Sequence, residues 1–192
     1  MKYFIPMIIL SLVLLSCAKE EAEEETTITE LEGTWKTACY TNSDNTSTSN
    51  IDTLTFVGNV LTIKEEKHSD TSCATDYRLV EFPVAFSMGD AVTFANGKTG
   101  HKFTLTLGST IKITPQSDSA VSAFNSGSGE CSKTDWVKDT EKECSTGDDA
   151  GDTKLCLYQL DGNNWYPKCD DSVYPSTSDI DSSKAEGFFT KQ

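Results

Sequence analysis

An all-β fold of antiparallel strands, a sandwich or a barrel, is what this sequence predicts, and three observations predict it. Short runs rich in β-branched and aromatic residues follow one another closely from Leu54 to Ile113. Tight-turn pairs punctuate the chain, among them Gly58-Asn59, Asn96-Gly97 and Gly162-Asn163. Apolar and polar residues alternate within the runs, most cleanly in Phe103-Thr104-Leu105-Thr106-Leu107, the pattern of a half-buried strand.

Taken in order, residues 31–40 alternate loosely and read as the first strand, and 41–50, almost all Ser, Thr, Asn and Asp, as a loop. Residues 54–57 and 60–63 flank Gly58-Asn59 as a hairpin. Tyr77-Arg78-Leu79-Val80 and Val84-Ala85-Phe86-Ser87-Met88 are divided at Pro83, which fits a bend or a sheet edge because proline cannot donate to a ladder. Gly89-Asp90 is expected to turn into Val92-Thr93-Phe94, and Asn96-Gly97 to close that strand. Gly108-Ser109 is expected to turn the chain back into Ile111-Lys112-Ile113. From 118 to 153 the pattern fades into Ser, Gly and acids around Trp136-Val137, an insertion in which 133–143 permit a helix. Strands return at 155–160 and 164–166, residues 170–184 read as a polar loop, and Gly187-Phe188-Phe189-Thr190 as the closing strand. One domain over 31–192 is long enough for a sizeable core.

The N-terminus opens with Lys2 and an apolar run over 3–15 broken only by Pro6 and Ser11, reaches Leu14-Leu15-Ser16-Cys17, and turns to charge at Lys19-Glu20-Glu21. That is the pattern of a secretory signal peptide. The run is too short to cross about 30 Å of hydrocarbon, which takes about 20 residues. The segment resembles a bacterial lipoprotein signal, in which a Leu-x-Ser-Cys lipobox is cut before the cysteine and the cysteine is then acylated. The resemblance implies a signal peptide over 1–16, Cys17 as the lipidated first residue, and a membrane as the partner of the N-terminal lipid. Ala18 stands where Asp would signal inner-membrane retention in enterobacteria, so an outer-membrane address, periplasmic or surface-facing, is implied. Cys17-Ala18-Lys19-Glu20-Glu21 also resembles the export signal of surface lipoproteins of the Bacteroidetes, although a solvated acidic tether accounts for the same residues. Residues 17–30, acidic and without aromatics, read as that tether.

With Cys17 assigned to lipid, Cys39, Cys73, Cys131, Cys144, Cys156 and Cys169 form an even set in an exported chain, and read as three disulfides. Fifteen connectivities are open. If Gly162-Asn163 centre a hairpin turn, Cys156 falls opposite Cys169 within bonding reach. Cys39 with Cys73 and Cys131 with Cys144 is then the simplest remainder, the second pair pinning the insertion. No pair has Cys-x-x-Cys spacing, so zinc is set aside. Asp148-Asp149-Ala150-Gly151-Asp152 clusters carboxylates suited to calcium but lacks EF-hand spacing, and no metal or cofactor is expected.

The net charge of -14, with no basic patch among aromatics, repels phosphate backbones and excludes nucleic acid. No nucleophile elbow, zinc-protease motif or phosphate loop is present, and His68 and His101 read as a solvated surface residue and a turn-flanking residue. A catalyst is therefore not expected. Two readings remain. In the first, a small apolar ligand lies inside the fold against Phe56, Leu61, Phe86, Phe94, Phe103, Leu105 and Leu107. In the second, a protein partner meets polar loops pinned by disulfides, with an aromatic such as Trp136 exposed on them.

Gly33-Thr34-Trp35 just inside the first strand, followed by a meander of hairpins, is similar to the lipocalin pattern, and more closely to small lipocalin-like lipoproteins of bacteria. Cys39, Cys73 and the late Asn163-Asn164-Trp165-Tyr166 belong to the same resemblance. It implies a single up-and-down antiparallel β-barrel of about eight strands, stapled by disulfides, with Gly33 and Trp35 at its closed end. Two departures stand out. The lipocalin arginine that covers the tryptophan is missing, with Lys191 the nearest candidate, and Thr75-Asp76-Tyr77 spells the second lipocalin motif too soon after Trp35.

Overall fold

The computed structural model describes residues 30–43, 45–178, 180 and 188–192. The signal peptide, Cys17 and all of the tether before Glu30 lie outside the described residues, as do Lys184 and Gly187. The elements are β1 (Gly33–Thr37), β2 (Tyr40–Thr41), β3 (Ser49–Val57), β4 (Val60–His68), β5 (Asp76–Thr93), β6 (Thr99–Leu107), β7 (Thr110–Pro115), α1 (Asp118–Phe124), β8 (Lys142–Ser145), β9 (Thr153–Asp161), β10 (Asn164–Asp170) and β11 (Phe189–Lys191).

The sheet closes on itself in the order β1-β3-β4-β5-β6-β9-β10-β11, every pair antiparallel, and β11 returns to β1 through Trp35 opposite Lys191 and Thr37 opposite Phe189. This is a closed eight-stranded antiparallel barrel. The remaining three strands continue its members. β2 runs on from β1 along β3, β7 runs on from β6 along β5, and β8 leads into β9 along the line of β7 and β6. The barrel is thus an up-and-down meander in which three strands are interrupted.

Pro83 explains one interruption. It lies in the middle of the long β5, opposite Thr62 of β4, and not at an edge or a bend. Its carbonyl accepts from Gly108 N at 3.2 Å, so its missing N–H faces the gap between β6 and β7. There the ladder slips: Leu107 pairs with Val84, and the next pair is Lys112 with Glu81. Gly108-Ser109 is therefore a jog and not a reversal, since β6 and β7 run in the same direction. Gly89-Asp90, expected to turn, is a bulge within β5, with Met88 opposite Phe103 and Ala91 opposite His101.

The helix lies at 118–124, earlier than the expected 133–143. Ser117 caps it by accepting from Ala120 N, Asp118 suits the first turn, and Ala120 and Phe124 put two buried side chains on one face. They pack with Val80, Ile113, Trp136 and Cys144 in a small second core, and Phe82 touches both this core and the main one. Cys131–Cys144 pins the insertion there, while Cys39–Cys73 ties the β1–β2 break to the loop after β4. Cys156–Cys169 joins directly opposed residues of the β9–β10 hairpin around Gly162-Asn163.

Gly100 sits where β6 passes β9, and a Cβ there would overlap the Tyr158 carbonyl oxygen and crowd Phe94 at 2.9 Å. Gly100→Ala is expected to cost about 1–3 kcal/mol and to lower the thermal midpoint by several degrees, whereas Gly97→Ala, with open space at its Cβ, loses only what its φ of +79° imposes. Paired calorimetric scans check the difference.

Candidate functional site

The inward face of the barrel divides into a filled end and a hollow one. At the filled end Trp35, Phe56, Leu61, Phe86, Phe103, Tyr158 and Trp165 are all buried. Phe56 meets Phe86 at 5.1 Å and Trp165 at 5.5 Å between ring centroids, and Phe103 meets Phe86 at 5.7 Å and Tyr158 at 5.6 Å. The end is sealed by Leu31, whose carbonyl accepts from Trp35 Nε1 at 2.6 Å, and by Lys191, whose ammonium lies 5.2 Å from the Trp35 ring centroid. Tyr158 donates to Glu30 Oε1 at 2.6 Å, and His101 stacks on its ring, 25° from parallel. Burial, and then that bond to Glu30, push the Tyr158 phenol well above its ordinary value.

At the other end the side chains shorten and a cavity of about 360 Å³ opens. Ile63 of β4, Val84 of β5 and Leu105 and Leu107 of β6 line it, with Asp149, Asp152 and Lys154 on its exposed rim. Its size is at the lower end of ligand sites, which run from about 300 to 1,000 Å³. The rim is held by the strand jog: Leu107 N donates to Asp152 O and Gly151 N to Leu107 O, both at 2.9 Å, while Thr146 Oγ1 bonds Gly108 O at 2.9 Å. Lys154 is paired with Asp171.

Of the seven residues expected to line a ligand, Leu105 and Leu107 line this cavity. Phe56, Leu61, Phe86 and Phe103 point inward but fill the core, because their rings and branches meet one another across a narrow barrel. Phe94 is a correction of another kind. The bulge between Met88 and Ala91 inserts one residue, so alternation flips and Val92 and Phe94 pack outside the barrel, with Leu157, Tyr166 and Ile180. Gly33 and Trp35 lie at the filled end. Ile63 and Val84 were available to the same alternation argument, whereas Asp149, Asp152 and Lys154 carry no signal beyond a polar loop.

Two further expectations change. Trp136 is buried, 2% exposed, its backbone N–H bonded to Asn125 Oδ1 at 2.7 Å and its Nε1–H to Glu130 O at 3.2 Å. It is not an exposed recognition residue. His68 is 4% exposed, at the end of β4 between Ser49 of β3 and Asp76 of β5, with Nδ1 3.2 Å from Asp76 Oδ1, and His101 is an inward strand residue. Among the described residues no group of three or more His, Cys, Asp or Glu is placed to hold a metal ion. No protein-family model matches the chain, and a search of curated proteins finds no match either.

Tyr40, 36% exposed, donates to Asp52 Oδ2 at 2.7 Å, and its phenol is also pushed up, by partial desolvation first and then by Asp52. A folded pKa above the unfolded value of 10.0 means that the folded chain holds more protons above pH 10, so stability falls as pH rises through that range. Tyr158→Phe is expected to flatten this fall, by a slope that grows above pH 10 toward about 1.4 kcal/mol per pH unit, one proton's worth, in unfolding free energies measured between about pH 9 and 11.5.

Proposed function

We propose that the protein is a bacterial envelope lipoprotein, held on the outer membrane by acyl chains on Cys17, whose lipocalin-like barrel binds or carries a small apolar molecule and does not transform it. The observation that carries the ligand reading is the half-filled interior. A barrel that needed only stability could pack both ends with the large side chains it uses at one, yet Ile63, Val84, Leu105 and Leu107 leave about 360 Å³ beside a wall of apolar carbon. The lipocalin likeness is supported by the eight-stranded up-and-down order, by Trp35 at the filled end, and by Lys191 standing over its ring where the resemblance expects an arginine. The anchor rests on Leu14-Leu15-Ser16-Cys17, and two or more acyl chains suffice for stable attachment where one is marginal.

Two experiments test these readings separately. Methyl-labelled full chain with its disulfides intact, in nanodiscs of zwitterionic lipid with empty discs as the blank, is titrated with 1-octanol. Saturable shifts centred on the methyls of Ile63, Val84, Leu105 and Leu107, abolished by Leu105→Trp, are expected. Absence of saturable shifts in the parent chain removes the ligand reading. For the anchor, mass spectrometry of the exported parent chain is expected to show a mature N-terminus at Cys17 carrying acyl chains, and an unacylated Cys17 overturns lipidation.

A further inference from the structure

The cavity has a polarity as well as a size. Its wall is aliphatic, and its rim holds Asp149, Asp152 and Lys154. The lysine is already engaged by Asp171, and it also feels Asp152 and Asp170, so the charges of the described residues around the mouth sum to an acidic collar in which Lys154 is occupied. Among the described residues no ion pair reaches Asp149 or Asp152. The backbone that carries them is fixed, since 146–152 is tied to the jog at 107–109 by the bonds of Leu107, Gly151 and Thr146, and Thr146 N donates to Ser109 O at 3.0 Å. Carboxylates carried on a fixed backbone at the mouth of an apolar hollow attract a cationic or hydrogen-donating head, and only their side chains remain to be ordered. An anionic head meets the reverse, and the whole-chain charge of -14 adds to the repulsion.

Resting on the cavity reading above, we infer that the ligand class is a small amphiphile whose apolar tail fills the space between Ile63, Val84, Leu105 and Leu107 and whose amine head is held by Asp149 and Asp152, and that fatty-acid anions are rejected. The wall takes any tail of suitable length. The rim chooses among heads.

Three probes of one chain length separate head from tail: octylamine, 1-octanol and octanoate, titrated into the full chain in the same zwitterionic nanodiscs. Octylamine is expected to bind about fivefold more tightly than octanol, the return of one or two partly exposed ion pairs, and octanoate more weakly than either. In Asp149→Asn/Asp152→Asn the amine-to-alcohol ratio should fall toward one. The parent chain in about 1 M salt, where the screening length is about 3 Å, should lose the same preference and keeps the test independent of how the variant folds. Octanol binding as tightly as octylamine, or octanoate binding best, overturns the head-group inference while leaving the cavity reading standing. No saturable binding by any of the three overturns both.

Discussion

Trp165 lies with its ring centroid 5.2 to 6.3 Å from those of Trp35, Phe56, Phe103, Tyr158 and Phe189, side chains carried by five other strands. Each such pair is worth about 0.5–1.5 kcal/mol beyond the area it buries. The cluster fixes how far apart the strands stand at that end, and the same circumference must then be kept at the other, where smaller aliphatic residues cannot fill it. The hollow thus comes from small side chains set on a circumference that large ones fix at the filled end. Among the described residues Trp165 Nε1 has no hydrogen-bond partner although it is buried, a cost of about 1–3 kcal/mol that the surrounding rings offset.

The second organising feature is a level at which neighbouring strands break together. Pro83 removes a donor from β5, the β6–β7 line slips beside it, and the β8–β9 line next to that swings out over 146–152. On one side of this level the strands belong to the barrel, and on the other they form a flap whose face is covered by α1 and Trp136. The rim of the cavity is the loop thrown out at the break. One imino acid therefore helps decide where the barrel ends and where its mouth is charged.

Much of this was legible in the sequence, and the failures within the strands share a cause. Gly58-Asn59, Asn96-Gly97 and Gly162-Asn163 turn as their chemistry requires, and the last places Cys156 against Cys169. Gly89-Asp90 and Gly108-Ser109 carry the same residue types but sit inside continuous lines of pairing, where neighbours on both sides hold the backbone extended and glycine serves a bulge or a close approach instead. That misreading propagates, because a single inserted residue sends Phe94 to the outer face. The helix was missed because its signal, Ser117 three residues before Ala120 and an Ala120–Phe124 pair, is short, while 133–143 offered charge without an apolar face. Nothing in residues 41–50 or 146–152 distinguishes a free loop from one bonded at several points to a strand end.

The seam between β1 and β11 bears on how the molecule comes into being. Every other ladder of the barrel joins segments nearer in the chain, and each disulfide spans 34 residues or fewer, so hairpins and their cross-links can assemble one after another. Trp35 meets Lys191 only across almost the whole folded length. Bringing such distant segments together carries the largest entropy of closure, and contacts of that separation form slowly. Until Phe189–Lys191 has emerged, the aromatic interior stays unsealed and both edges of the sheet remain open to pairing with another chain. The passage from nascent meander to closed barrel is therefore a single late event, and the interval before it is the period in which the chain is most exposed to aggregation.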